Sequence, residues 1–217
     1  LDNQNHNISN ELREILYDSS YHRLWLLSLT DFQYFDLNTY SFHRWFDRPN
    51  AVSESISYQK YMIKTDNDLI LFSVDGEIYE YSILSRTYKS ITADIRMPEE
   101  IKRNYAMFRH MDADRFAIIY PDYVHIFNIK TRKSNWIKAE PNEIFSDVYY
   151  NPSTQKLYIS AFKGLKIYDL QSEGSTLKRF RYQVKSGFLD HIIRRVIPFD
   201  DEALMLTGMG GYILYNV

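Results

Sequence analysis

Six histidines punctuate the chain, His6, His22, His43, His110, His125 and His191, and none stands at a spacing that makes a metal site. A helical zinc site needs two histidines four residues apart around a glutamate, so that both imidazoles share one face. That pattern is absent from the sequence. His125 alternates with the apolar Val124 and Ile126, which predicts a partly exposed histidine on a strand. Asp112-Ala113-Asp114 begins like a calcium loop but lacks a third ligand, the turn glycine and the closing glutamate, and so predicts a hairpin turn. Gly208-Met209-Gly210-Gly211 lies between two apolar strands instead of opening a helix, and reads as a turn rather than a dinucleotide loop. The absence of cysteine excludes disulfides, thiolate ligands and cysteine nucleophiles. Carboxylates are few on the expected inner strands, where only Glu14 and Asp147 are near enough to consider as the acid and base of a glycoside hydrolase, and no catalytic residue is expected. No cofactor and no metal are expected.

The elements that position such side chains are legible in the composition. The 217 residues include 19 Tyr and 13 Phe, an aromatic content of 16%, against only 7 Gly. Aromatic residues favour strands, whereas a helical chain would draw more on Ala and Leu in 3.6-residue periods. A formal net charge of −2 lacks the basic excess of a nucleic-acid binder. No apolar run approaches the ~20 residues of a membrane helix. Residues 1–10 lack an apolar signal core.

Short aromatic strands end in an aromatic followed by a small polar residue: Phe35-Asp36, Tyr81-Ser82, Phe127-Asn128, Tyr168-Asp169 and Tyr215-Asn216. Their spacings are 46, 46, 41 and 47 residues. In four units an apolar residue opens the preceding strand 11 positions before the marker (Leu24, Phe116, Leu157 and Leu204), and in the second unit Leu69 stands 12 before it. Polar turns precede these strands, at Asp18-Ser19-Ser20, Asp66-Asn67-Asp68, Asp112-Ala113-Asp114, Asn151-Pro152-Ser153 and Asp200-Asp201-Glu202. A further strand follows the marker, at Tyr40 to Trp45, Asn135 to Ile137 or Leu177 to Tyr182. Four antiparallel strands per unit of this length predict an all-β protein, a β-propeller, because one small sheet cannot bury both faces and neighbouring sheets have to stack. The expected blades are approximately 11–46, 57–92, 104–138, 146–183 and 192–217, within a single propeller domain or fragment. The fifth unit stops two residues after Tyr215, so the reading is part of a longer propeller region.

The repeat resembles the two-component regulator propeller repeats of the periplasmic sensor domain of Bacteroides-type hybrid two-component systems. Their pattern is a Gly-Leu-like opening, a strand, an acidic turn, Leu-Trp-Ile-Gly-Thr, a Gly-Gly turn and a Tyr-Asn or Tyr-Asp ending. Residues 186–216 resemble it, with Ser186-Gly187-Phe188-Leu189 opening, Asp200-Asp201-Glu202 as the turn, Leu204-Met205-Leu206-Thr207-Gly208 as the strand, then Gly210-Gly211 and Tyr215-Asn216. In the first unit Leu24-Trp25-Leu26 and Tyr34-Phe35-Asp36 match. The second and third units lack the Trp, and Ser28, Ser73 and Ser160 stand near the glycine position. The resemblance implies a non-catalytic, periplasmic, ligand-sensing segment that binds polysaccharide-derived oligosaccharides and acts as a dimer. It also implies a membrane helix and a cytoplasmic histidine kinase elsewhere in the protein.

Propeller ligands usually meet the face formed by the loops between second and third strands and by the loops between blades. The strand reading places Asp31, Asp75, Glu77, Asp122, Tyr123, Phe162 and Lys163 in the first loops, and Arg48, Arg96, Lys138, Asn142 and His191 in the second. Sugars stack their C–H faces on aromatic rings and take hydrogen bonds from polar side chains, with Arg or Lys for acidic sugars. Tyr123, Phe162, Lys163, Arg96 and His191 are therefore the expected ligand-binding residues. The alternatives are the hydrolase and a propeller that serves only as a protein-interaction or dimerisation scaffold.

Overall fold

The computed structural model describes residues 12–28, 31–47, 62–65, 68–74, 77–95, 107–162, 164–178, 181–184, 187–190, 193–200, 202–208 and 211–217. The first sheet runs in chain order through β1 (Leu12–Asp18), β2 (Arg23–Ser28), β3 (Asp31–Asp36) and β4 (Ser41–Asp47). The second comprises β5 (Met62–Lys64), β6 (Leu69–Val74), β7 (Glu77–Ser82) and β8 (Thr87–Ser90), followed by the single turn α1 (Thr92–Ile95). The third holds β9 (Met107–His110), β10 (Arg115–Tyr120), β11 (Tyr123–Asn128) and β12 (Ser134–Lys138). The fourth holds β13 (Phe145–Asn151), β14 (Lys156–Ala161), β15 (Gly164–Asp169) and β16 (Ser175–Lys178). A hairpin of β17 (Arg181–Val184) and β18 (Gly187–Asp190) precedes the last sheet of β19 (Ile193–Pro198), β20 (Ala203–Gly208) and β21 (Gly211–Asn216). These are the all-β, blade-type sheets of the propeller class. The chain divides into two compact units, residues 1–108 and 109–217, with the division inside β9.

Two features differ from the sequence reading. The strand expected from Leu177 to Tyr182 ends at Lys178, and Arg181 to Val184 instead pair with Gly187 to Asp190. The α1 turn was not foreseen either, since four residues carry no helical period.

The repeat has a local cause. Asp36 Oδ1 accepts hydrogen bonds from the backbone N–H groups of Asn38 and Thr39, Asn128 Oδ1 from those of Lys130 and Thr131, and Asp169 Oδ1 from those of Gln171 and Ser172. The small polar marker thus closes the turn after the third strand. Four residues beyond the markers the chain enters the left-handed region, at Tyr40 (φ 53°), Arg86 (57°), Arg132 (57°) and Glu173 (55°). The next aliphatic residue ties this turn to the turn after the first strand in every one of the five sheets. Leu37 donates to the His22 carbonyl at 3.0 Å, Ile83 to Asp68 at 2.9 Å, Ile129 to Asp114 at 2.8 Å, Leu170 to Gln155 at 3.1 Å and Val217 to Glu202 at 2.8 Å.

Packing between sheets supplies the core of each unit. In the first unit, Trp25, Leu27, Phe32 and Tyr34 meet Met62, Ile70, Tyr81 and Ile83 of the second sheet. Trp25 stacks on Phe32 at 5.4 Å and meets Tyr81 edge-on at 5.5 Å. Its indole N–H donates to Asp18 Oδ2 at 3.1 Å, and Lys64 Nζ donates to the other carboxylate oxygen at 2.7 Å. Burial opposes ionisation of Asp18, yet Lys64 and Trp25 outweigh it and hold the pKa below the ordinary carboxylate value. In the second unit, Tyr158 and Leu165 pack on Ile193, Val196, Leu204 and Leu206.

Candidate functional site

The best-described part of the expected ligand face lies in the second unit. Backbone bonds knit its segments into one platform: Ala139 N–H to the Asp122 carbonyl at 2.9 Å, Phe145 N–H to Pro121 at 2.8 Å, and Phe162 N–H to Ile144 at 2.9 Å. The turn between the third and fourth sheets is fixed from inside. Glu143 Oε2 accepts from the Glu140 backbone N–H at 2.9 Å and from Lys166 Nζ at 3.0 Å, while the Glu143 N–H returns a bond to the Glu140 carbonyl at 2.9 Å. Asn142, between them, takes the left-handed φ of 62° that lets the turn reverse. Both Glu143 and Lys166 are buried. A buried pair of this kind fixes geometry more than it adds stability, because desolvation offsets most of the attraction.

On the outer surface, Ile144 and Phe162 are each 48% exposed, two large apolar side chains whose backbones are directly bonded. Lys138, Glu140 and Asn142 are exposed within six residues of Ile144, and Asp122 is exposed in the turn whose carbonyl accepts from Ala139. A flat aromatic face beside charged and amide groups suits the amphipathic surface of a sugar.

Of the expected ligand-binding residues, Phe162 lies exposed on this platform, and Tyr123 opens β11 with only 9% of its surface exposed. The Tyr123 ring is turned edge-on to Trp136 at 6.0 Å, with Lys138 Nζ 5.6 Å from its centroid. Lys163, Arg96 and His191 lie outside the described residues, as do Asp75 and Arg48. Asp31 and Glu77 begin strands β3 and β7. Sequence reasoning missed Ile144, Glu143 and Lys166. Lys166 left a trace as a lone cation in the apolar run Leu165-Lys166-Ile167, but its partner is 23 residues away.

His125 corrects a sequence expectation. It is fully buried rather than partly exposed, stacked on Trp136 at 3.8 Å with an interplanar angle of 10°. Neither ring nitrogen has a hydrogen-bond partner among the described residues. Burial alone pushes its pKa down to about 3, so the ring is neutral at physiological pH.

Glu14 and Asp147 are both structurally engaged. Each stands just after a bulge at the start of an inner strand, between Leu12 and Glu14 in β1 and between Phe145 and Asp147 in β13. Each accepts a backbone N–H from the inner strand of the following sheet, Met62 to Glu14 Oε2 at 2.6 Å and Val196 to Asp147 Oδ2 at 3.2 Å. Asp147 is only 2% exposed, and its Oδ1 accepts from the Val148 backbone N–H at 2.9 Å and from Arg109 Nε at 2.7 Å. Among the described residues no cluster of three or more metal-ligating side chains occurs, and no helix is long and apolar enough to cross a membrane.

No family model and no curated protein matches the chain. In structure it is similar to the extracellular domain of a proposed hybrid two-component system, BT4673, of B. thetaiotaomicron, with a TM-score of 0.69 at 17% identity over 95% of this chain. It is also similar to the extracellular domain of a second such system of that organism, BT3049, with a TM-score of 0.64 at 14% identity over 99% of this chain. The present chain spans 28% and 29% of the lengths of these two structures. The β-propeller domain of Myceliophteria thermophila Cps50 (Swd1) aligns over 90% of this chain and 62% of its own, with a TM-score of 0.58 at 14% identity. The propeller resemblance drawn from the repeat is matched in three dimensions.

Proposed function

We propose that this chain is a segment of the extracytoplasmic ligand-sensing propeller of a hybrid two-component signalling protein, binding polysaccharide-derived oligosaccharides and regulating a cytoplasmic histidine kinase. The observation that carries this reading is the likeness over nearly the whole chain to extracellular domains of such systems. The sheets of each unit are propeller blades, and the chain spans less than a third of the lengths of those extracellular domains.

The reading keeps Tyr123, Phe162, Lys163, Arg96 and His191 as its ligand-binding residues, with Phe162 exposed and the exposed aliphatic Ile144 bonded to it through the backbone. The chain performs no catalysis. Glu14 and Asp147 support this part of the reading, because each already holds a backbone N–H of the next sheet. The protein resides in the periplasm as a homodimer anchored by a membrane helix in the inner membrane. Ligand binding shifts the population of paired sensors between two arrangements, and a few kcal/mol of differential affinity suffices.

Isothermal calorimetry of the chain against oligosaccharides from digested plant and host polysaccharides tests this. Saturable heats for one glycan class, weakened about tenfold by Phe162→Ala, are expected. Continuous heat from turnover would replace the sensor with the hydrolase. Silence across the panel would remove the ligand site from these blades and favour the interaction scaffold.

A further inference from the structure

His125 is the one fully buried imidazole among the described residues, and it lies one strand in from the edge of the third sheet. The register sets it opposite Ile118 of β10 and Trp136 of β12, so the three side chains share one face. Trp136 stacks on the imidazole at 3.8 Å, and neither ring nitrogen has a hydrogen-bond partner among the described residues. The same face carries Phe116 and Tyr120 from β10, Tyr123 and Phe127 from β11, and Ser134 and Lys138 from β12. Of these only Lys138 is charged, and its Nζ stands 5.6 Å from the Tyr123 centroid. Arg132 reaches the Phe127 ring at 6.0 Å, and on the opposite face of β12 the Asn135 side chain bonds the Tyr168 hydroxyl of β15. No carboxylate of these strands faces His125.

The stacking partner belongs to the edge. Ser134, Asn135 and Lys138 of β12 are exposed, while Ile137 is buried from the other side. An edge strand bonds one neighbour only and opens at lower cost than the centre of its sheet. β12 also leads straight into the turn at 139–144. Its last residue, Lys138, pairs with Tyr123, and Ala139 donates to the Asp122 carbonyl.

We propose that His125 and Trp136 form an acid-released latch for β12: the stacked, neutral imidazole keeps the edge strand and the turn behind it docked, and protonation of His125 favours the state in which β12 has lifted away. An imidazolium in the docked state would have neither an acceptor nor a carboxylate beside it, whereas in the open state water solvates it. Burial alone pushes the docked pKa down to about 3, and the open state regains the ordinary value of about 6.5. The open state therefore takes up the proton first, and opening grows as pH falls below about 6.5. Between about pH 7.4 and pH 5 the open population rises about thirtyfold. The latch stands on the third sheet alone. Its consequence, weaker ligand binding in acid, rests on the oligosaccharide-sensing reading, because Tyr123 belongs to the expected ligand face.

The test is native-state hydrogen exchange of the whole chain at about pH 7.4 and pH 5, corrected for the intrinsic exchange rate. Protection of the β12 amides is expected to fall about thirtyfold, while β10 and β14 keep theirs. In His125→Phe the fall in β12 disappears, and His125→Gln, polar but without a titrating ring, supplies the same comparison should the Phe variant not fold. The proposal is overturned if β12 protection in the parent is the same at both pH values, if β10 and β14 lose protection together with β12, or if the non-titrating variants retain the fall. None of these outcomes involves a glycan, so failure of the sugar titrations removes the sensing reading and leaves the latch to be decided by exchange.

Discussion

The joint between the first and second sheets and the joint between the fourth and fifth are built on one device and finished differently. Both use a post-bulge carboxylate to cap an N–H of the next inner strand, Glu14 on Met62 and Asp147 on Val196. The first joint then adds a charged anchor at the turn end, where Lys64 and Trp25 share Asp18, over an aromatic cluster. In the second joint the anchor lies at the bulge itself, where Arg109 takes Asp147 and Ser146 Oγ bonds the Ile193 carbonyl at 3.0 Å. These two joints therefore share a backbone cap, and the side chains around it differ. The backbone tie between turns recurs in all five sheets, whereas a core tolerates many fillings of similar volume.

The sharpest way to separate the joints is to empty one of them. Trp25→Ala removes the largest side chain of the first joint and orphans a buried acceptor, at an expected cost of about 3–5 kcal/mol. Hydrogen exchange should accelerate through β1 to β8 first. Equal acceleration in β13 to β21 would show the joints to be one cooperative core.

Asp147→Ala strikes the second joint. It leaves the Val196 N–H uncapped and Arg109 without its carboxylate, with an expected loss of about 2–4 kcal/mol after allowing for the exposed part of Arg109. Asp147→Asn, which keeps an acceptor, should lose clearly less, and equal losses would mean that the backbone cap contributes nothing.

Acid should separate the two units more clearly than alkali, because burial also pushes up the Tyr158 and Tyr168 hydroxyls of the second unit. Burial pushes the Tyr81 hydroxyl in the first unit up to about 12, so the unfolded chain ionises first. Stability of that unit falls as pH rises from about 10 towards 12. His125 in the second unit works in the opposite direction. With a folded pKa of about 3, its neutral form is favoured by folding, and stability falls by up to about 1.4 kcal/mol per pH unit as pH drops below about 6.5. His125→Phe should remove this acid limb and raise stability at pH 7 by about 1–2 kcal/mol, because two unpartnered buried nitrogens disappear. Urea midpoints across pH would reveal either failure.

The smallest effect is expected at the marker turns. Asn128→Ala removes two side-chain bonds to backbone N–H groups at an expected cost of about 1 kcal/mol, and thermal melts should show only a modest decrease.

The chain sequence by itself determined the repeat, the strand class and the places where the chain turns. Those signals are local: Asp36, Asn128 and Asp169 bond groups two and three residues away, so their identity is written beside the turn they close. It also carried the exposed Phe162, since a large apolar residue between two strand patterns falls in a loop wherever the sheet is placed. The sequence could not reveal that His125 is buried, because the strand alternation that suggested partial exposure holds for any half-covered sheet. Its cover includes Trp136 from the neighbouring strand. Nor could it distinguish Glu14 and Asp147 as caps from Glu14 and Asp147 as a catalytic pair. Their partners Met62 and Val196 lie 48 and 49 residues away, and only the stacking of one sheet on the next brings a backbone N–H to each carboxylate.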